Sequence, residues 1–371
     1  MAKISIMVGI AFFAILFAVM VNLLNFSKNA YTSGSAEEPY RVGLIMNGVS
    51  DDRSWGQSHF DALSRVTAEL GATLLCRENV DAGESFDETV RELAETEKCS
   101  VIAVASDVYA DRISETAGKY PEVYFLHASG TESGKNLCSF NGRIYQYRYL
   151  CGIIAGTQTR TGLIGYAASM PTSEVNRSIN AFALGVRSVS PDAKVLVSFC
   201  GSWTDEEKAR ADAQRLIAEY DIDVLTHHTD SLAPLETADK NGIFTIGVNF
   251  DNSDLFPATY LTGCVWEWDN YYREQLSDCI RGNFRGEFRW LGAESGIMKL
   301  VDPEKTGNAA PGYEDALKDA QERLSSRSFD VFYGPVNDNS GVQRIAEGES
   351  MSDGSMLNKF DWYAEGVEIV E

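Results

Sequence analysis

The chain has 371 residues, 44% of them hydrophobic, and a formal charge of −22 at pH 7 from 32 basic and 54 acidic side chains. That length favours two domains of ordinary size, with enough apolar material for two cores. The acidic surplus is spread along the chain, which argues against nucleic-acid binding and disfavours an acidic ligand away from a local basic patch.

Ile4 to Phe26 is an almost unbroken apolar run after the single Lys3. It is long enough to cross a bilayer as a helix and longer than the usual core of a cleaved signal peptide. A small-residue stretch, TSGSA, ends at Ala36, and composition changes abruptly at Glu37. The pattern predicts export, with residues 1–36 acting either as a cleaved signal or as a membrane anchor. The expected location is therefore extracytoplasmic, membrane-associated or secreted. No cysteine closes the run, so a lipobox-type lipid anchor is not expected. Seven scattered cysteines, without CxxC or metal-ligand spacing, suggest core thiols and no metal site; one or two disulfides stay open as the alternative, and the odd number leaves at least one thiol unpaired within the chain.

In the body, Tyr40–Met46 reads as a first strand. A polar loop, NGVSDDRSWGQSHFDAL, runs from it into a helix with Phe60, Leu63, Val66 and Leu70 on one face. Strands follow at 72–76, at SVIAVASD ending at Asp107, and at VYFLHASG. Helices at Asp87–Glu97 and Ala110–Tyr120 separate them. Alternation of this kind predicts a largely parallel sheet with helices on both faces. LCSFNG is a fifth short strand before a helix at Arg143–Gln158, whose GIIAG glycines suit close helix packing.

The pattern then restarts. LIGYAAS is a strand, helix 174–188 carries Val175, Ile179, Phe182 and Val186, and AKVLVSF is the next strand. Thr204 with Glu207 reads as a capping box for the helix that follows. DVLTHHTDS, IFTIGVNFD and TYLTGCVW are strands, and Asp269–Gly282 is a helix. Two α/β units therefore stand in tandem: residues 37–158 as lobe 1 and 159–283 as lobe 2. Residues 284–371, with a helix at Tyr313–Leu324, a strand at DVFYGPV and a final aromatic segment, return to complete the lobes.

Polar and aromatic residues recur just after apolar strands, where open α/β sheets bind ligands. Two sheets facing each other would gather them into one cleft between lobes. The candidates are Trp55 and Trp203 for stacking, and Glu174 and Asn176 in the first turn of a helix. Asp230 and Asp251 stand at strand ends, and Tyr109 lies in the polar segment Ser106 to Tyr109. Each has a plainer structural reading: Glu174 could serve the helix dipole, Asn176 could face solvent and the indoles could pack. In VWEWD one tryptophan suits the pocket rim and the other the core. HExxH, GxSxG, P-loop and dinucleotide fingerprints are absent. An acid–base role for His59 with Asp51 or Asp52 is an enzymatic alternative. His227 and His228 alternate faces on a strand, so at most one points to any site.

The runs RIYQYRYLCGIIAG, TGLIGYAASMPTSEVNRSINAFALGVRSVSPDA, SW (202–203), HHTDS (227–231) and IGVNFD (246–251) resemble the basic membrane protein (BMP) family. The tail pieces FYGPVNDNSG and WYAEGV do so too. That family comprises extracytoplasmic substrate-binding proteins of ABC transporters, related to a purine nucleoside receptor lipoprotein. The resemblance implies a periplasmic-binding-protein type I fold, two Rossmann-like lobes around a ligand cleft. It implies a purine nucleoside or base such as adenine as ligand, no catalysis and no cofactor or metal. A monomer delivering its ligand to an ABC permease and its ATPase is the expected assembly. On this likeness Trp55 stacks on the ligand, and Glu174, Asn176, Trp203, Asp230 and Asp251 carry over. ASDVYAD departs from the family pattern. A membrane-anchored sensor, a nucleoside hydrolase and a sugar-binding protein are the alternatives.

Overall fold

The computed structural model describes residues 39–370; the apolar run at 4–26, and the signal or anchor read from it, lies outside the described residues. Two sheets carry the body. The first contains β1 (Arg41–Ile45), β2 (Thr73–Arg77), β3 (Val101–Ala105), β4 (Tyr124–Ala128) and β5 (Leu137–Gly142), with β11 (Phe288–Leu291) returning late from the chain. Its order is β11-β5-β4-β3-β1-β2 and every pair is parallel. The second contains β6 (Leu163–Ala168), β7 (Lys194–Phe199), β8 (Val224–His228), β9 (Phe244–Asn249) and β10 (Tyr260–Trp266), joined by β12 (Met298–Leu300) and β15 (Val367–Ile369). Here the order is β12-β10-β9-β8-β6-β7-β15, parallel except for the antiparallel edge pair β12–β10.

Period-two alternation explains why both faces of each sheet are covered. In the first lobe Val42, Leu44, Val101 and Ala103 meet Ala62, Leu63 and Val66 of α1 (Trp55–Leu70). Ile45, Ile102, Val104 and Phe125 meet Phe86 and Val90 of α2 (Glu84–Arg91) and Ile113 and Ala117 of α3 (Ala110–Lys119) on the other face. In the second lobe Ile164, Tyr166, Val195, Val197, Val224 and Ile246 pack toward α4 (Ile144–Gln158) and α5 (Ser173–Val189). Ala167, Leu196 and Leu225 face α6 (Glu206–Glu219) and α7 (Ala233–Lys240).

Three segments cross between the sheets: β5 to β6 through α4, β10 to β11 through α8 (Asp269–Arg281), and β11 to β12. The first two helices change sides. Helix α4 leaves the first sheet and lies against α5, where a Cβ at Gly152 would be driven into the Phe182 carbonyl and one at Gly185 into that of Tyr149. These glycines permit the close helix packing expected of GIIAG. Helix α8 leaves the second sheet and packs on α1, where the Tyr272 hydroxyl lies 2.6 Å from His59 Nδ1 and Arg273 pairs with Glu69.

Local details differ from the sequence reading in three places. The segment 84–97 is helical, but α2 stops at Arg91 and Glu92–Thr96 forms a wider π turn. Asp205, not Thr204, caps α6, accepting from Lys208 N–H at 3.0 Å. DVFYGPV is not a full strand. Pro335 has no N–H to offer a ladder, and pairing is broken into a single antiparallel bridge, Tyr333 with Ser350, and the short pair β13 (Val336–Asn337) with β14 (Gln343–Ile345). The tail otherwise holds α9 (Pro303–Thr306), α10 (Glu314–Ser325) and α11 (Asp353–Asn358). The seven cysteines are all free thiols.

Candidate functional site

Carboxyl ends of strands from both sheets meet at one cavity. From the first lobe come Asn47 after β1, Ser106 and Asp107 after β3, Ser129 after β4, and Trp55 at the start of α1. From the second come Glu174 at the start of α5, Trp203 after β7, His228 and Asp230 at and after β8, Asn249 ending β9 and Trp266 ending β10. Two of these residues, Ser129 at φ 63° and Asn249 at φ 68°, hold left-handed backbone that side chains other than glycine rarely adopt. Such conformations persist where surrounding contacts enforce them, and they concentrate at binding sites. A larger cavity of about 680 Å³ lies among crossover and tail segments. Two ion pairs occupy its lining, Arg143 with Asp353 and Arg327 with Glu294.

The aromatic wall is a mutually supported cluster. Trp55 meets Trp266 edge-to-face at 5.5 Å between ring centroids, and Trp266 stacks on Trp268 at 4.5 Å. Trp266 thus stands at the cleft while Trp268 is buried behind it, the division expected for VWEWD. Hydrogen bonds fix both ring systems: Trp55 Nε1–H donates to the Ala105 carbonyl and Trp266 Nε1–H to Asn249 Oδ1, each at 3.0 Å. Trp203 approaches His228 edge-on at 5.7 Å.

Polar contacts also tie the lobes together. The Ser54 hydroxyl donates to Asp230 at 3.0 Å, and the Asn249 amide donates to both Ser54 Oγ and Asp230 at 3.2 Å. Arg53 reaches across to Asn252 at 2.8 Å and to Asp254 at 2.5 Å. Asp52 accepts from the backbone N–H groups of Ser54, Gly56 and Gln57 and so anchors the start of α1.

Three carboxylates line the cavity, and no lysine or arginine does. Asp230 keeps part of its surface on the cleft, yet both lobes crowd it. That dehydration, reinforced by the nearby charges of Asp52 and Asp107, pushes its carboxyl up to about 7. Burial likewise raises Glu174, with Arg177 opposing it, and raises Asp52 against its three backbone donors. His228 is driven well below its ordinary range by burial, then by Arg148, His227 and Arg177.

Trp55, Glu174, Trp203 and Asp230 therefore share one cavity. The remaining candidates are placed elsewhere. Asn176 is buried, its amide donating to the Phe360 carbonyl at 3.0 Å and its Oδ1 accepting from the Tyr363 hydroxyl at 2.9 Å. Two residues along a helix turn about 200°, so Glu174 on the cleft puts Asn176 on the opposite, tail-facing side. Asp251 follows the left-handed turn at Asn249 and points outward, its carboxylate accepting from Ser253 N–H at 3.0 Å. Tyr109 is fully buried in the first lobe, stacked on Phe86 at 4.6 Å with its hydroxyl donating to the Val80 carbonyl. His59 lies behind Trp55, and burial lowers its imidazole to about 3, so it is no acid–base group near neutrality. The sequence reading did not single out His228 or Asn249 as cleft residues and left open which tryptophan of VWEWD is one, although His228, Asn249 and Trp266 each lie at the end of a strand. Among the described residues no group of three or more His, Cys, Asp or Glu is placed to hold a metal ion.

Comparison with known proteins agrees with this architecture. Residues 40–327 match the family model described as ABC transporter substrate-binding protein PnrA-like. A purine-binding protein of Brucella abortus is 32% identical over 337 residues, 90% of this chain and 94% of its own. A Haloferax volcanii protein, provisionally named as an ABC transporter glucose-binding protein, is 34% identical over 70% of this chain and 63% of its own. Among solved structures, an ABC transporter solute-binding protein from Conexibacter woesei superposes with TM-score 0.66 at 18% identity, covering 78% of this chain and 98% of its own. A transcriptional activator of the comK gene from Bacillus halodurans gives TM-score 0.68 at 22% identity, covering 78% and 99%. These likenesses identify the fold as the two-lobed periplasmic-binding-protein type I architecture.

Proposed function

We propose that this chain, which belongs to the family of PnrA-like ABC transporter substrate-binding proteins, captures a purine base or nucleoside outside the cytoplasm for an ABC importer. It is a binding protein and not an enzyme. The observation that carries the purine reading is the composition of the cleft: three indoles converge with three carboxylates and two asparagine amides, without a cation. Indole faces and edges suit a flat heterocycle. Amides and carboxyls suit the alternating donors and acceptors on its rim. The negative lining disfavours phosphorylated forms, so nucleotides are poor candidates beside bases and nucleosides.

The same geometry supports a closing trap. The cavity between the lobes measures only about 60 Å³, against several hundred for a typical ligand site. A purine enters when the lobes part about the three crossovers, and it is enclosed as they return. The closed pair of lobes then presents one composite surface to a permease. The near full-length likeness to a purine-binding protein adds weight to this reading.

Titration calorimetry of the exported body tests it, using adenine, guanine, hypoxanthine, their nucleosides, AMP and glucose. Saturable binding of a base or nucleoside, with AMP much weaker, supports the proposal. Glucose binding with no response to any purine replaces it with the sugar reading suggested by the Haloferax relative. Release of free base from a nucleoside would overturn the assignment as a binder without catalysis.

A further inference from the structure

One cleft residue has an unusual support behind it. His228 ends β8, and its side chain shares a sheet face with Thr226, toward α4 and α5. Its Nδ1 turns inward and lies 3.4 Å from the Tyr166 hydroxyl. That orientation leaves the Nε2 edge on the cavity, which His228 lines. Arg148 of α4, itself fully buried, stands behind the pair with its guanidinium 4.8 Å from the Tyr166 ring centroid. It donates to Thr226 Oγ1 and the His227 carbonyl, both at 3.2 Å. Its Nε and Nη1 have no partner, and among the described residues no carboxylate pairs with it.

A guanidinium in a dry interior, with no carboxylate partner among the described residues and with the Tyr166 phenol and the Cys264 and Cys151 thiols beside it, sets a strong local field. That field favours turning the Tyr166 phenol oxygen toward the cation and its O–H toward His228 Nδ1. A ring nitrogen that accepts leaves the single proton of neutral imidazole on the other nitrogen. We propose that His228 is a specificity-determining residue of the cleft, held by Tyr166 and Arg148 as the neutral Nε2–H tautomer and donating to an acceptor atom of the ligand. Tyr166 and Arg148 are positioning residues in this scheme.

The charged and titratable groups around His228 agree with it. Arg148 from α4, Arg177 from α5 and His227 on its own strand all oppose imidazolium formation, and burial does so first. Glu174 and Asp230 share its cavity. The cleft then has opposed chemistries: carboxyls that take ligand N–H groups, and one fixed donor that requires a ring nitrogen or carbonyl oxygen. A ligand presenting N–H at that position leaves two donors facing each other and is rejected. The identity of the acceptor rests on the purine reading; the tautomer does not.

The ligand-free protein provides the first test. Nitrogen-15 imidazole spectra, with the His228 signal assigned by its loss in His228→Gln, should show protonated Nε2 and an accepting Nδ1. They should not titrate between about pH 5 and 8. In Tyr166→Phe the single tautomer should give way to a mixture. Protonated Nδ1, or imidazolium at pH 6, overturns the proposal whatever the ligand is.

Binding supplies the second test. His228→Leu should weaken adenine or hypoxanthine binding about tenfold to a hundredfold, and His228→Gln, which keeps a donor at a similar reach, should restore most of it. Of 1-deaza-, 3-deaza- and 7-deazaadenine, one should bind native and His228→Leu proteins equally, because it lacks the acceptor that His228 meets. Equal losses for every analogue, or no loss for the parent bases, would overturn the ligand contact. Should no purine bind while the tautomer is as expected, the purine reading fails and the fixed donor stands.

Discussion

Asp230 is the point where lobe closure and protonation meet. Its carboxyl is raised from an ordinary 3.8 to about 7, chiefly by dehydration between the lobes. A rise of roughly three units corresponds to about 4 kcal/mol, at 1.4 kcal/mol per unit. Because the folded value lies above the unfolded one, the associated stability is fully present below about pH 4 and is lost as pH rises to about 7. Above that the loss is constant. Asp230→Asn removes the charge and keeps an oxygen for the Ser54 hydroxyl and the Asn249 amide, which lie 3.0 and 3.2 Å from the carboxylate. Urea unfolding followed by tryptophan fluorescence, in a pH series, should give equal stabilities for the two proteins near pH 4. The variant should then gain progressively to about 2–4 kcal/mol at pH 8, the lower end allowing for relaxation around the charge. A difference that does not change with pH would refute the reasoning, since it would mean that closure does not dehydrate this carboxyl.

Other residues make separate demands. Arg53→Ala removes the cross-lobe contacts to Asn252 and Asp254; with a half-exposed ion pair and one charged hydrogen bond lost, closure should weaken by about 1–2 kcal/mol. Small-angle scattering should show a larger ligand-free particle, and purine affinity should fall several-fold. Asn176→Ala strips partners from the Phe360 carbonyl and the Tyr363 hydroxyl; it should lower stability by about 1–3 kcal/mol while calorimetry finds purine affinity unchanged. Gly152→Ala forces α4 away from the Phe182 carbonyl; overpacking of this kind costs about 1–3 kcal/mol, which thermal unfolding should detect.

The architecture was legible because strands and helices alternate with little ambiguity, and because the open-sheet rule places ligands at the carboxyl ends of strands. Trp55, Glu174, Trp203 and Asp230 lie directly at such ends or at the first turn of the following helix, so topology alone brings them to one cavity. The candidates that lie outside this cavity are carried there by angle. Asn176 is two residues from Glu174 and faces away from it on the helix. Asp251 is two residues beyond Asn249, whose left-handed φ of 68° redirects the chain. Tyr109 lies in the 3₁₀ turn Asp107–Tyr109 after β3, which carries it down to the outer core. His228 was half legible: strand parity says that only one of the histidine pair can face a given side. Which one does depends on the sheet's burial against α4 and α5, and periodicity cannot supply that.

The exchange of helices between lobes has a consequence for how the chain acquires its structure. Neither lobe is a continuous length of polypeptide. The first sheet waits for β11 at 288–291, and α1 waits for α8 to cover it; the second sheet gains its last edge only with β15 at 367–369. A chain appearing from its amino end thus exposes incomplete apolar faces until its final residues arrive. Faces left open until then are exposed to non-native contacts, the usual hazard for a sheet completed late in a chain of this size.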